Sequence, residues 1–350
     1  MFHSLTIKNI QKETPEAVSI EFEVPSSLKE DFQFLSGQFL TLKAEISGNE
    51  VRRSYSICSS PKSGVLKVVV KQVENGVFST YANSALKNND TIEVGVPTGG
   101  FVVNTKADNN KNYTLIAAGS GITPVISIAK TILENEPNSS VNLFYGNKTA
   151  KQTIFKTELE ELSKEYNNRL NFHLLFSAEK GDSRFHSGRI EGRRIKKIFK
   201  EFAPISNTNE VFICGPQEMT EAIRDFLIKK HKYPVSQIHF ELFTTTLKKT
   251  KSNSKSNKSS LVTATIDGDT FEFTVKPGET ILDAGTKNGV DIPFSCQGGV
   301  CGACKCIKGE GELQMDNNIV LSDDEVASGQ YLACQSKVKS ESVKISFDFW

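Results

Sequence analysis

No apolar run in this 350-residue chain approaches the length of a bilayer-spanning helix. The N-terminus, Met1-Phe2-His3-Ser4, lacks the basic stretch, apolar core and small-residue cleavage site of a secretory leader. An excess of one charge is missing too. A net charge of +1 gives no reason to expect nucleic acid or a membrane surface as the main partner. The five histidines, His3, His173, His186, His231 and His239, are scattered, and no Ser/His/Asp triad is suggested. No helical segment of globin length is present. These absences lead to the expectation of a cytoplasmic protein with no membrane span.

Disulfide pairing is a further absence. The seven cysteines are odd in number, and four of them, Cys296, Cys301, Cys304 and Cys306, crowd into eleven positions. Such clustering in a reducing compartment points to metal binding. The length argues for two or three domains, and composition marks one boundary sharply. Residues 244–260 read TTTLKKTKSNSKSNKSS, without an acidic residue and with almost nothing to bury. That stretch is expected to be a flexible tether, with a basic patch for an acidic partner as the alternative.

Residues 1–106 hold short alternating apolar runs, among them Val18/Ile20/Phe22/Val24 and Leu66/Val68/Val70. Turn signals such as Ser47-Gly48-Asn49 separate them, a pattern of an antiparallel barrel or sandwich. Residues 107–243 alternate strands and helices, which predicts a parallel sheet with helices on both faces. Helices are expected over 154–166, 191–202 and 217–230. Residues 261–350 predict a small α+β unit with a hairpin around Asp267-Gly268-Asp269, a helix over 281–288 and a closing strand over 343–349. Trp350, the lone tryptophan, ends that strand as a packing or surface residue.

Cys296-x4-Cys301-x2-Cys304, with Cys334 after twenty-nine intervening residues, has the spacing of a plant-type [2Fe–2S] site. Gly298, Gly299 and Gly302 let the backbone wrap closely and aim N–H groups at sulfur. Zinc is the competing metal, but it favours paired C-x2-C knuckles. Upstream, Arg53-Ser54-Tyr55-Ser56 closes what reads as an apolar strand. It offers a guanidinium for a diphosphate, a ring for a flat heterocycle and a hydroxyl for that ring's edge. Gly76-Val77-Phe78-Ser79 opens a helix and can present N–H groups and a hydroxyl to phosphate. Gly119-Ser120-Gly121-Ile122-Thr123-Pro124 follows a strand and permits close approach of a pyrophosphate, though it falls short of a full G-x-G-x-x-G. Cys214-Gly215-Pro216 ends a later parallel strand, where such sheets bind ligands.

In this order, RSYS, GVFS, GSGITP and CGP resemble the ferredoxin-NADP-reductase superfamily across 5–243. TILDAGTKNGVDIPFSCQGGVCGACKC at 280–306 resembles plant-type ferredoxins. The whole chain is similar to reductase components of bacterial multicomponent oxygenases, the phenylacetyl-CoA epoxidase reductases among them. The resemblance implies an FAD-binding β-barrel (1–106), an NAD(P)-binding α/β domain (107–243), a linker (244–260) and a β-grasp ferredoxin domain (261–350). It implies FAD at Arg53, Tyr55, Ser56, Val70, Gly76, Phe78 and Ser79, and nucleotide at Gly119, Gly121, Cys214, Gly215, Pro216 and Met219. Thr123 is placed near the flavin ring, and Glu241, in His239-Phe240-Glu241-Leu242-Phe243, tunes it. Ser56, Thr123, Cys214 and Glu241 are thus the residues expected at the reacting centre. The cluster ligands implied are Cys296, Cys301, Cys304 and Cys334, with Cys306 left as a small buried hydrophobe.

The resemblance implies hydride transfer from NADPH or NADH to FAD and single-electron transfer through the cluster to a protein acceptor. An oxygenase is the first acceptor expected; a fatty-acid desaturase, a hydroxylase or a deoxysugar dehydratase are alternatives. A zinc-stapled binding protein is a reading from another class. Family habit favours NADPH, yet Ser177-Ala178-Glu179-Lys180 lacks the arginine that grips a 2′-phosphate. Lys148 and Lys180 are the candidate substitutes, and neither can bind bidentately. The acids Asp316, Asp323, Asp324 and Glu325 are candidates for an acceptor-docking surface.

Overall fold

Alternating apolar residues put one face of each early strand into a shared core. The strands are β1 (Phe2–Thr14), β2 (Ala17–Glu23), β3 (Phe39–Ile46), β4 (Asn49–Ser56), β5 (Leu66–Lys71) and β6 (Thr91–Gly95). They pair antiparallel in the order β4-β3-β6-β1-β2-β5, and an antiparallel bridge from Ile57 to Val68 joins the two ends of that order. The result is a small barrel, whose interior holds fully buried Leu5, Ile7, Ile20, Leu40, Leu42, Val68 and Val70. Ser47 and Gly48, both at positive φ (54° and 75°), make the tight β3–β4 turn that such hairpins favour. The helix α1 (Val77–Ser84) follows β5 and buries Phe78 and Ala82 in the same core. These coordinates are a computed structural model. It describes residues 2–243, 259–294 and 297–348, and the chain divides into two units, Met1–Leu242 and Phe243–Trp350.

Strand β4 corrects one expectation. It reads NEVRRSYS and is polar, not apolar. It keeps its place because Arg52, nearly buried, donates from Nε to Glu50 at 2.8 Å and stacks over the Phe2 ring. Pairing with the apolar β3 supplies the rest.

The second half of this unit contains β7 (Asn112–Ala118), α2 (Ile122–Asn135), β8 (Ser140–Asn147), α3 (Lys156–Glu165), β9 (Leu170–Phe176), α4 (Arg193–Lys197), β10 (Glu210–Cys214), α5 (Gln217–Asp225) and β11 (Ile238–Glu241). The sheet is parallel, in the order β11-β10-β7-β8-β9. Tyr113 through Ala117 on β7 are all fully buried, as a central strand covered on both faces requires. Tyr113, Leu115 and Ala117 pack with α2 on one side, and Ile116 packs with α4 and α5 on the other.

Two helices differ from expectation. That over 191–202 is the five-residue α4 continued by a π turn at Ile198–Phe202, and that over 217–230 is α5 continued by a π turn at Phe226–Lys230. Phe199 and Phe226, one from each widened turn, stack at 5.8 Å. The third expected helix loses its first two residues and its last to loop.

Glu136, just past α2, is fully buried. Its carboxylate accepts from Tyr113 OH, Ser139 Oγ (2.6 Å), Asn109 Nδ2 (2.6 Å) and the Lys106 backbone N (3.1 Å). A buried charge survives only when its lone pairs are satisfied in this way. The polar 105–112 stretch is therefore fastened to the end of α2.

The second unit contains β12 (Ser260–Ile266), β13 (Asp269–Val275), α6 (Ile281–Lys287), β14 (Lys305–Glu310), β15 (Leu313–Met315), α7 (Asp323–Ala327), β16 (Gln330–Leu332), β17 (Ser336–Val338) and β18 (Ser342–Ser346). A mixed sheet, ordered β13-β12-β18-β14-β16, has β12 and β18 parallel, while β15 and β17 form a separate pair. Asp267 and Gly268 (φ 52° and 82°) make the β12–β13 turn. Thr280 caps α6 by accepting from Asp283 N at 3.1 Å, and Ile281, Leu282 and Ala284 seat the helix on the sheet. This is the β-grasp arrangement. Ser260, expected to end the tether, belongs to β12; the rest of the expected tether at 244–258, Cys296, Phe349 and Trp350 lie outside the described residues.

Candidate functional site

The carboxyl ends of β7 and β10 lie side by side, because Cys214 pairs with Ala117. The strand order reverses direction between these two strands, which is where open α/β sheets bind ligands. Backbone packing there is tight. A Cβ placed on Gly121 would stand 2.2 Å from the Cys214 carbonyl oxygen and 3.0 Å from Gly215 N. One on Gly215 would meet the Met219 methyl at 2.6 Å. The Gly119 loop is further fixed by the buried Tyr145, whose hydroxyl donates to Gly119 O at 3.0 Å. Thr123 Oγ1 donates to Ser120 O at 3.0 Å and closes the first turn of α2. Pro216 immediately precedes α5. Gln217 Oε1, at the start of α5, and Asn147 Nδ2, at the end of β8, are buried without a partner among the described residues. A bound nucleotide could satisfy both.

Strand β11 delivers Glu241 beside Cys214, its register partner. Ser56, at the end of β4, donates to Glu241 Oε2 at 3.3 Å and so joins the barrel to the parallel-sheet domain. Burial pushes the Glu241 carboxyl up to about 8, against the lowering effect of the Ser56 hydrogen bond. Burial, then the neighbouring Glu241, holds the Cys214 thiol well above its ordinary value. At neutral pH the pair is therefore a thiol and a protonated acid, able to donate protons without carrying charge.

On the barrel, Tyr55 is half-buried and its ring lies 5.6 Å from that of Phe78. Arg53 is exposed, with Nη1 donating to the Arg52 carbonyl at 2.6 Å. Gly76 sits where a Cβ would meet Ser79 Oγ at 2.3 Å and Val73 Cγ2 at 2.5 Å. Ser79 Oγ accepts from Val73 N and donates to Gly76 O, both at 3.2 Å. It acts locally as a brace for the turn, leaving the first N–H groups of α1 as the donors for an anion. Val70 buries its side chain in the core, while its carbonyl accepts from Asn83 Nδ2 at 3.1 Å. These groups fit a flavin nucleotide through backbone, guanidinium and ring contacts.

Beyond β9, the Glu179 carboxylate accepts from Ala150 N at 2.6 Å and fixes an acid between the ends of β8 and β9.

In the second unit, Cys304 and Cys334 face one another. The hydrogen bond to Cys334, then burial and the nearby Cys301, raise the Cys304 thiol well above its ordinary value. Ala303 N donates to Cys301 Sγ at 3.4 Å. Gln297, Gly299 and Gly302 adopt positive φ (54°, 75° and 71°), curling the backbone around the thiols. Among the described residues no three such side chains converge on a single ion. A two-iron centre spreads its thiolates over two metals, and Cys296 lies outside the described residues. Cys301 and Cys304 on a glycine-rich loop, with Cys334 brought beside Cys304 from a separate segment, fit such a centre. Cys306 is fully buried in the core, and burial pushes its thiol up to about 12.

Sequence reasoning missed Tyr145, Gln335 and Asn317. Tyr145 carried a readable signal, a polar-tipped ring at the end of a buried strand; the two amides carried none.

Three family models match in succession: an oxidoreductase FAD-binding domain over 4–103, an oxidoreductase NAD-binding domain over 115–225 and a 2Fe-2S iron-sulfur cluster binding domain over 264–339. The chain is 40% identical to one of the subunits of the 1,2-phenylacetyl-CoA epoxidase of Escherichia coli, covering 99% of this chain and 98% of that protein. It is 34% identical to the ferredoxin reductase component of a Mycobacterium tuberculosis 3-ketosteroid-9-alpha-monooxygenase, over 98% and 95%. Among solved structures it resembles phthalate dioxygenase reductase, described as a modular structure for electron transfer from pyridine nucleotides to [2Fe–2S]. That match has a TM-score of 0.61 and 26% identity, covering 99% of this chain and 98% of that one.

Proposed function

Because the chain belongs to the family of oxygenase reductase components that unite FAD-, NAD- and 2Fe-2S-binding domains, we propose that it supplies electrons to an oxygenase of the phenylacetyl-CoA epoxidase type. The observation carrying this reading is the 40% identity that runs the full length of both chains, through all three domains. When bound, the flavin would supply two-electron and the cluster one-electron redox chemistry, a combination suited to coupling a two-electron donor to a one-electron acceptor. The chain's own residues bind and orient. Gly119, Gly121, Gly215, Pro216 and Met219 receive the nucleotide, and Arg53, Tyr55, Val70, Gly76, Phe78 and Ser79 the flavin. Ser56, Thr123, Cys214 and Glu241 line the reacting centre, with Glu241 holding a proton there below about pH 8. Cys296, Cys301, Cys304 and Cys334 hold the cluster.

The same reading divides the chain into 1–106, 107–243, a linker at 244–260 and 261–350. It places the protein in the cytoplasm, where thiols stay reduced. Glu179, fixed by Ala150 N, favours NADH, since a carboxylate there repels a 2′-phosphate. No helix among the described residues is long and apolar enough to cross a membrane.

An anaerobic titration of the purified protein with NADH, and separately with NADPH, tests the relay. Flavin bands and then cluster bands should bleach, with NADH the tighter titrant. A protein without flavin or iron–sulfur absorption after reconstitution would end the proposal. For the acceptor, nucleotide oxidation in the presence of a phenylacetyl-CoA epoxidase oxygenase component should be coupled to epoxide formation. Uncoupled oxidation would move the acceptor to a desaturase, a hydroxylase or a deoxysugar dehydratase.

A further inference from the structure

Two side-chain amides span the loop that carries the clustered cysteines. Gln335, next in sequence to Cys334 and only 7% exposed, donates from Nε2 to Gln297 O at 2.9 Å and to Cys334 O at 3.0 Å. The same nitrogen lies 3.7 Å from Cys334 Sγ. Its Cγ stands 3.0 Å from where a Gly299 Cβ would be, so the side chain lies across the loop between Cys296 and Cys301. Asn317 Nδ2 donates to Gly298 O at 3.1 Å, and Asp316 N donates to Gln335 O at 2.9 Å. Two carbonyls fix which end of the Gln335 amide faces inward, because only the NH2 group can donate to both.

We propose that Gln335 is a positioning residue for the iron–sulfur centre: its amide ties the cysteine loop to the Cys334 segment and gives the Cys334 sulfur a side-chain N–H neighbour that raises the cluster's reduction potential. The proposal rests on the reading of Cys334 as a cluster ligand. Two amide hydrogens serve three acceptors here, and a thiolate is the strongest acceptor of the three. Adding an electron makes the ligand sulfurs more negative, so a donor beside one of them stabilises the reduced form more than the oxidised form. Asn317 acts on the same loop from its other side but touches no sulfur, so its role is confined to holding the backbone.

The test uses the full chain with its cofactors. Gln335→Met keeps the unbranched shape and removes the donors. Iron and sulfide content should stay as in the unaltered protein. The potential of the cluster, followed in a dye-mediated titration, should fall by about 59 mV, corresponding to a tenfold change in the one-electron equilibrium. Asn317→Leu should leave the potential in place. A fully loaded Gln335→Met protein with an unchanged potential overturns the proposal. Should that variant fail to load, side-chain-amide 15N-labelled glutamine in a Gln297→Ala chain gives a second reading. The reduced cluster's spin should couple to that nitrogen, and absence of coupling overturns the proposal equally. Cys334→Ser separates the two levels: a native cluster spectrum in that variant would sink the ligand assignment itself, whatever the amide does.

Discussion

Ser56 and Glu241 are 185 positions apart in sequence and 3.3 Å apart in the fold, and their contact decides how the reacting centre responds to pH. A carboxyl raised from 4.5 to about 8 by burial is protonated at neutral pH. The sign for stability follows. Below the unfolded value both states are protonated and the fold suffers no penalty. As pH rises from about 4.5 through about 8, the unfolded chain ionises first and stability falls. Glu241→Gln, which stays neutral, should therefore lose less melting temperature between pH 6 and pH 9 than the unaltered protein. The rate of flavin reduction should show a break near pH 8 that this variant lacks. Equal breaks in both proteins would assign the titration to another group. The contact was invisible in the sequence, because no local pattern joins the end of a barrel strand to the end of a parallel sheet. Glu136 was invisible for the same reason, since its partners at 106, 109, 113 and 139 lie along different elements.

At the scale of elements, local patterns were read correctly wherever burial is uniform or turn chemistry is strict. Tyr113–Ala117 announces a strand buried on both faces, and the cysteine spacing announces its loop. Polar β4 was misread because neighbours hold it, with Arg52 braced by Glu50 and Phe2. The helices after 191 and 217 were read as regular because a π turn leaves the apolar period nearly unchanged; packing such as Phe199 on Phe226 accompanies the widening. The junction of the Gly119 loop with β10 yields the sharpest element-level prediction. A Cβ on Gly121 would meet backbone at 2.2 Å, and backbone cannot swing aside as a side chain can. Gly121→Ala should cost about 1–3 kcal/mol of stability through overpacking. It should also weaken nicotinamide nucleotide binding at least tenfold, with FAD content unchanged, as read by equilibrium titration. Gly215→Ala meets the flexible Met219 methyl at 2.6 Å and the Ala118 backbone N no closer than 3.2 Å, and should cost less. Equal nucleotide affinity in Gly121→Ala and the unaltered protein would remove the loop from the binding site.

Across the whole molecule, charge is divided more unevenly than a net value of +1 suggests. Residues 261–350 carry fourteen Asp and Glu against seven Lys and no Arg, whereas 244–260 carries five Lys and no acid. Within the second unit the lysines are already committed near the cysteine loop, Lys337 to Asp316 at 2.6 Å and Lys305 to Glu325 at 3.3 Å. Two of the acids expected to face an acceptor are thus paired at home, and Asp323 and Asp324 stay exposed. The division into two units, each with its own hydrophobic core, makes the two halves of the chemistry separable. Cys301→Ser should leave the first unit's core and hydrogen bonds untouched. NADH should then bleach the flavin at the unaltered rate under anaerobic conditions, while the cluster bands are absent and electron delivery to the oxygenase component drops at least a hundredfold. Loss of flavin reduction in that variant would mean that the units depend on one another for folding. Full delivery without a cluster would mean that electrons leave from the flavin, and the C-terminal unit would then need another function.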